Sequence, residues 1–199
     1  MMAAVDVYFD YVCPFCLLAE NDIVEVAAEY EADVAWHPFE LRPYPERTLR
    51  PEDEYLPAIW QRAVYPMARR KNVDITLPTI SPQPYSGTAF EGYQYALERG
   101  VGQLYNDRVL RAFFQRDLDI GDVEVLTGLA EEVGLDGAEF RRALDERRHA
   151  ATHRAALEHA RQLRITSVPT MIIGEHRIEG VPDRQRLRAA LSETRSLTG

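Results

Sequence analysis

The sequence predicts an α/β protein whose small sheet is interrupted by a long all-helical insertion. Three observations carry this. A β-rich run, Val5–Phe9, is followed at once by a helical pattern and a second strand pattern. The stretch from 48 to 147 is helical in texture, and a hairpin pattern with one closing helix returns near the C-terminus. With 199 residues and 46% hydrophobic content, the chain is long enough to bury a core without covalent staples.

Val5–Phe9 alternates apolar and polar residues and reads as a first strand ending near Asp10. Pro14 suits the first position of a helix whose apolar face, through Leu17, Leu18, Ile23, Val24, Val26 and Ala27, runs to about Tyr30. Residues 34 to 41 form the second strand pattern, with Pro38 marking an edge or a bulge. Pro43, Pro45 and Pro51 then mark a linker. Helical patterns follow over 56–71, 86–99, 102–117, 122–134 and 136–147, punctuated by Gly100, Gly121 and Gly134, with a proline-rich loop at 77–84. A helix over 148–163 leads to two short strands joined at Gly174-Glu175, and a helix over 183–194 closes the chain. The expected organisation is one domain built from 1–47 and 148–199, with a helical domain at 48–147 inserted into it.

The formal charge of −9 and the absence of a basic run interleaved with aromatics argue against a nucleic-acid partner. The N-terminal residues carry neither a basic start nor an apolar core of the signal-peptide kind, and no uncharged apolar run of about 18 residues is present. A cytoplasmic chain with no membrane partner is expected. In that compartment a close cysteine pair is more often catalytic, redox-sensing or metal-binding than structural.

The only two cysteines are Cys13 and Cys16, placed where the first strand turns into the first helix. Residues three apart in a helical turn share a face, with Cα atoms about 5 to 6 Å apart, which suits a disulfide that opens and closes with little backbone motion. Cys13, at the helix N-terminus, faces unpaired N–H groups and the positive end of the dipole, which favour a thiolate. It is expected to be exposed and to attack, while Cys16, one turn inside, is expected to be buried and to resolve the mixed disulfide. Pro14 stiffens the turn and Phe15 adds no charge, so the intervening dipeptide tunes the couple toward a mild oxidant. Two further readings stand beside this one: a pair of buried thiols without chemistry, and half of a zinc site. No second cysteine pair exists to complete four ligands, and His149 and His153, four apart on a helix, are expected to be solvated.

The combination of Cys13-Pro14-Phe15-Cys16 after a strand, a helical insertion, and Ser167-Val168-Pro169-Thr170 leading into a hairpin resembles the thioredoxin superfamily, in its DsbA-like branch. Residues 8–16 and 36–41 are similar to the FrnE-type subgroup. The resemblance implies a thioredoxin fold with an inserted all-helical lobe. It makes Cys13 the nucleophile, Cys16 the resolving thiol and Pro169 a cis-proline facing the pair, whereas an X-Pro dipeptide by itself is expected to be trans. It also assigns Val168 and Thr170 to an extended substrate segment, and Asp10 to proton handling at Cys16 or to capping the turn.

The implied activity is thiol–disulfide exchange on protein or small-thiol disulfides, with no bound cofactor and glutathione as a candidate co-substrate. A related branch, the 2-hydroxychromene-2-carboxylate isomerases and kappa-class glutathione transferases, typically has serine at the position of Cys13, so a glutathione-dependent isomerase or transferase is the alternative. A redox-switched peptide-binding chaperone is a third reading. It would use Trp60, Tyr65, Phe90, Tyr93, Tyr95, Phe113 and Phe114 as a groove, although at helical spacing these are more often core.

Overall fold

A computed structural model describes residues 4 to 198. Strand β1 (Ala4–Phe9) lies between β2 (Asp33–Pro38), parallel to it, and β3 (Thr170–Ile173), antiparallel; β4 (His176–Glu179) completes the order β2-β1-β3-β4. The parallel β1–β2 pair requires a crossover, supplied by helix α1 (Pro14–Glu29). Pro38 sits at the end of an edge strand, where its missing N–H costs no ladder bond. The strand pattern over 34–41 is cut short there, because Leu41 spends its N–H on the Asp10 side chain instead of a neighbouring strand.

Between β2 and β3 run α2 (Tyr55–Ile59), a π-helical turn (Trp60–Val64), α3 (Tyr65–Lys71), α4 (Gly87–Glu98), α5 (Gly102–Arg116), α6 (Val123–Glu132), α7 (Gly137–Asp145) and α8 (Ala150–Gln162); α9 (Arg184–Thr198) follows the hairpin. The single helix expected over 56–71 is thus interrupted. Pro66 has no N–H to give, and its ring would crowd the carbonyl of Arg62 in a regular α-helix; widening the preceding turn removes that clash. Helix α5 stops at Asp117, in the left-handed region at φ 52°, as the pattern over 102–117 predicts. Asp122 and Asp136 cap the next two helices through the backbone N–H groups of Glu124 and Glu139.

The alternation in β1 decides what the sheet covers. Val5, Val7 and Phe9 enter the main core, whereas Tyr8 joins a smaller cluster with Ala160 and Ile165 beneath α8. Phe9 meets Tyr11, Trp36 and Phe90 edge-on, with centroids 5.1 to 5.3 Å apart. One continuous core therefore carries residues of the sheet and of the inserted helices alike. This aromatic packing anchors α4 against the end of β1, where the cysteines begin.

Candidate active site

Cys13 occupies the N-cap of α1 in an extended conformation, with Pro14 at the first helical position. Its N–H is taken by the Asp10 carbonyl at 3.1 Å, and its own carbonyl accepts from Cys16 at 3.0 Å, so a tight turn ties the strand end to the helix. Across from it the Val168–Pro169 bond is cis, and the Cys13 thiol donates to the Val168 carbonyl at 3.5 Å. Thr170 is buried, and its hydroxyl closes the turn onto the Ser167 carbonyl at 2.7 Å. The structure brings Cys13, Cys16, Pro14, Phe15, Val168 and Asp10 to one place; Pro169 and Thr170 stand directly behind Val168.

Both thiols are free, and both are buried. Cys13 is only 4% exposed, against the expectation of an open thiol, because Val168 closes over its outer side. It is reached through a pocket of about 280 Å³ whose wall includes Cys13, Pro14, Phe15, Leu49, Trp60 and Phe114. The π-helical turn thus supplies part of that wall. Cys16 is 1% exposed, and burial, followed by the neighbouring Cys13, pushes its thiol well above the ordinary range. It is held as a thiol until a base removes the proton.

Asp10 lines the same pocket and is fully buried. Its Oδ2 accepts from the Leu41 N–H at 2.7 Å and its Oδ1 from Val12 at 3.4 Å, while the Ser86 hydroxyl donates to it as well. Burial nevertheless outweighs these bonds and, helped by the nearby Glu40 charge, raises the carboxyl to about 6. Asp10 is therefore both a cap of the turn, as one of its two expected roles had it, and a group that changes charge near neutral pH beside Cys16.

Several residues of the site carry no signal in a single sequence. Leu41, Ser86 and Gln83 come from the β2–α2 connection, the start of α4 and the proline-rich loop, and only the fold assembles them. Arg42 and Gln83 line the pocket; among the described residues neither side chain has a hydrogen-bond or ionic partner, and Gln83 is 6% exposed. His149 and His153, expected to be solvated, are buried, because α8 packs over α4 and β2. His153 bonds Glu40 at 2.5 Å and stacks on Phe90.

Of the aromatics considered for a peptide groove, Phe90, Tyr93, Tyr95 and Phe113 are core, Tyr65 is partly buried, and Trp60 and Phe114 are buried but face the cysteine pocket. Among the described residues, no group of three or more His, Cys, Asp or Glu is arranged to hold a metal ion, and no helix is long and apolar enough to cross a membrane.

The chain is 45% identical over 195 residues to the uncharacterized protein YwbO of Bacillus subtilis strain 168, covering 97% of this chain and 98% of that one. Among solved structures it resembles a probable DsbA oxidoreductase, SCO1869, from Streptomyces coelicolor, at a TM-score of 0.80 and 22% identity over 98% of this chain and 90% of that one. It also resembles a 2-hydroxychromene-2-carboxylate isomerase, at 0.76 and 19%, over 98% and 96%. Both likenesses establish the thioredoxin fold with its helical insertion. The DSBA-like thioredoxin domain matches residues 4–192, and with the cysteine pair at the head of α1 facing the Val168–Pro169 turn, the chain belongs to that family.

Proposed function

We propose that this protein is a cytoplasmic thiol–disulfide oxidoreductase that works through the Cys13/Cys16 dithiol, in the manner of the FrnE-type subgroup. The observation that carries the reading is the asymmetry of the pair: Cys13 opens onto a pocket at a helix N-terminus, and Cys16 lies sealed behind it with its proton held. In the reducing direction the Cys13 thiolate attacks one sulfur of a substrate disulfide, forming a mixed disulfide and releasing the other sulfur as a thiolate. Cys16 then gives its proton to Asp10 and attacks Cys13. That step closes the Cys13–Cys16 disulfide and releases the second substrate thiolate.

Protein disulfides are the expected substrates, with an extended segment lying against the Val168–Pro169 turn. Wild type should reduce insulin or reshuffle a scrambled disulfide substrate with a thiol donor present, and Cys13→Ser should not. If the two were equally inactive while a glutathione-dependent isomerisation survived, the isomerase reading would replace this one.

The shape of the pocket supports a small thiol as co-substrate. Apolar walls, an unpaired guanidinium at Arg42 and the unpartnered Gln83 amide suit a peptide-like thiol carrying a carboxylate, of which glutathione is the natural probe. Arg42→Gln should raise the KM for glutathione disulfide by roughly tenfold, the loss of one charged hydrogen bond, and leave the KM for the uncharged 2-hydroxyethyl disulfide unchanged. Equal effects on both would assign Arg42 to the scaffold.

A further inference from the structure

Behind Asp10 lies a second carboxylate that the exchange reaction as described does not use. Glu40 directly precedes Leu41, whose N–H holds Asp10, so the two carboxyls hang from one stretch of backbone. Both also flank the start of α4. The Ser86 hydroxyl donates to Asp10, and a Cβ at Gly87 would stand 3.1 Å from Glu40 Oε1, so glycine lets the carboxylate press against the helix N-terminus. From α8, His153 reaches Glu40 at 2.5 Å, with the two side chains only 6% and 10% exposed. The imidazole is clamped near-parallel to Phe90, 5.4 Å between centroids, and its Nδ1 has no hydrogen-bond partner among the described residues.

The pair also differs from Asp10 in where it opens. Asp10 lines the cysteine pocket, whereas Glu40 lines a separate pocket of about 190 Å³ with Phe39, Pro43, Leu157, Arg161 and Ile165. A substrate joined to Cys13 would occupy the first pocket, and the second, which Glu40 lines, lies apart from it.

We propose that Glu40 and His153 are positioning residues for mixed-disulfide resolution: a buried hydrogen-bonded pair, seated behind the backbone that holds Asp10, that tunes Asp10 as the acceptor of the Cys16 proton. This rests on the oxidoreductase reading. The proton passes from the Cys16 sulfur to Asp10 Oδ, the Cys16 sulfur takes up its bond to Cys13, and the substrate leaves as a thiolate; Glu40 and His153 exchange no electrons. The titratable and charged groups around Asp10 are Cys16 from α1, Tyr11 beside it in the turn and Glu40 from the β2–α2 connection, with Cys13 and Arg42 lining the same pocket; around Glu40 stand His153 and Arg161 from α8. With its negative charge beside Asp10, Glu40 favours the protonated carboxyl, and the His153 donor limits that effect.

The test is the Glu40→Gln variant, which keeps a partner for His153 and removes the charge. Two measurements are made on the full chain: a carbon-13 NMR titration of the Asp10 carboxyl, and the pH profile of resolution from a preformed Cys13 mixed disulfide. The Asp10 proton affinity should fall by about twofold to threefold, and the acid limb of resolution should move to lower pH by the same factor. Glu40→Asp, which retains the charge, should restore most of the wild-type profile. A merely structural role would slow resolution at every pH without moving the limb. An unmoved Asp10 titration in a folded Glu40→Gln protein overturns the proposal. If wild type showed no resolution at all, the oxidoreductase reading would fall, while the Asp10 titration would still decide whether the pair governs that carboxyl.

Discussion

Cys16→Ser should leave Cys13 joined to its substrates as mixed disulfides that persist until an outside thiol releases them. The attacking sulfur remains in place, and the only group positioned behind it to close the intramolecular disulfide is gone. Cys13→Ser should instead abolish exchange, by on the order of a thousandfold or more, since a serine hydroxyl offers no comparable nucleophile at neutral pH and Cys16 is sealed from solvent. Trapping in cells followed by non-reducing electrophoresis reads the first effect, and insulin turnover reads the second. Equal trapping by the two variants would mean that the roles of the sulfurs are not divided in this way.

Asp10→Asn should stabilise the protein near neutral pH and slow its chemistry. The folded carboxyl sits at about 6 against an ordinary 3.8, a difference of about 3 kcal/mol. Because the folded value is the higher, the native state binds this proton more tightly than the unfolded chain does. Wild type therefore loses stability as pH rises from about 4 to about 6 and stays at the lower level above that. Asparagine does not titrate, and it gives up one of the carboxylate's accepted bonds, at about 1 kcal/mol. The variant should thus gain about 2 kcal/mol at pH 7 and be slightly less stable than wild type below pH 4.

Urea denaturation across that range measures the gap, and a gap independent of pH would show that Asp10 does not titrate as argued. Resolution of the mixed disulfide should slow by roughly tenfold to a hundredfold in the same variant, because the amide accepts no proton from Cys16. Stability and rate moving in opposite directions is the expected mark of a group kept for chemistry.

The burial of this site would divide the proposed reaction between the two sulfurs. The Val168 carbonyl takes the Cys13 thiol, and Val168 shares the lining of the pocket with Gln83, Pro84 and Ser86, so the pocket is the approach to Cys13 that the fold offers. Trp60 enters that wall from the π-helical turn ahead of Pro66. An irregularity in the inserted helices thereby forms part of the pocket beside Cys13, which is the reason to expect the insertion to shape selectivity. Its aromatics serve mostly as core, so a chaperone reading has little exposed ring surface to draw on.

Local sequence determined a good deal of this protein. The alternation of Val5–Phe9, the i,i+3 spacing of the cysteines, Pro14 at the helix start and the turn at Gly174-Glu175 are short-range signals, and each fixes a dihedral, a face or a cap without help from distant residues. The placement of Cys13 at the head of α1 and of Cys16 one turn inside follows from helix geometry and was legible there, whereas the expected exposure of Cys13 was not realised. The cis state of Val168–Pro169 was legible only through resemblance, since the dipeptide alone favours trans.

What the tertiary structure decided is what surrounds the sulfurs. It buried Cys13, brought Leu41 and Ser86 to Asp10 from 31 and 76 positions away, and set His153 against Glu40 across 113 residues. Such contacts leave no trace in periodicity, because burial and proton affinity depend on which side chains the whole fold brings together, and each residue alone reads as an ordinary polar position. The sequence therefore determined that two thiols stand at a helix start; only the packing of α4, α8 and the β2–α2 connection around them decided where their protons go.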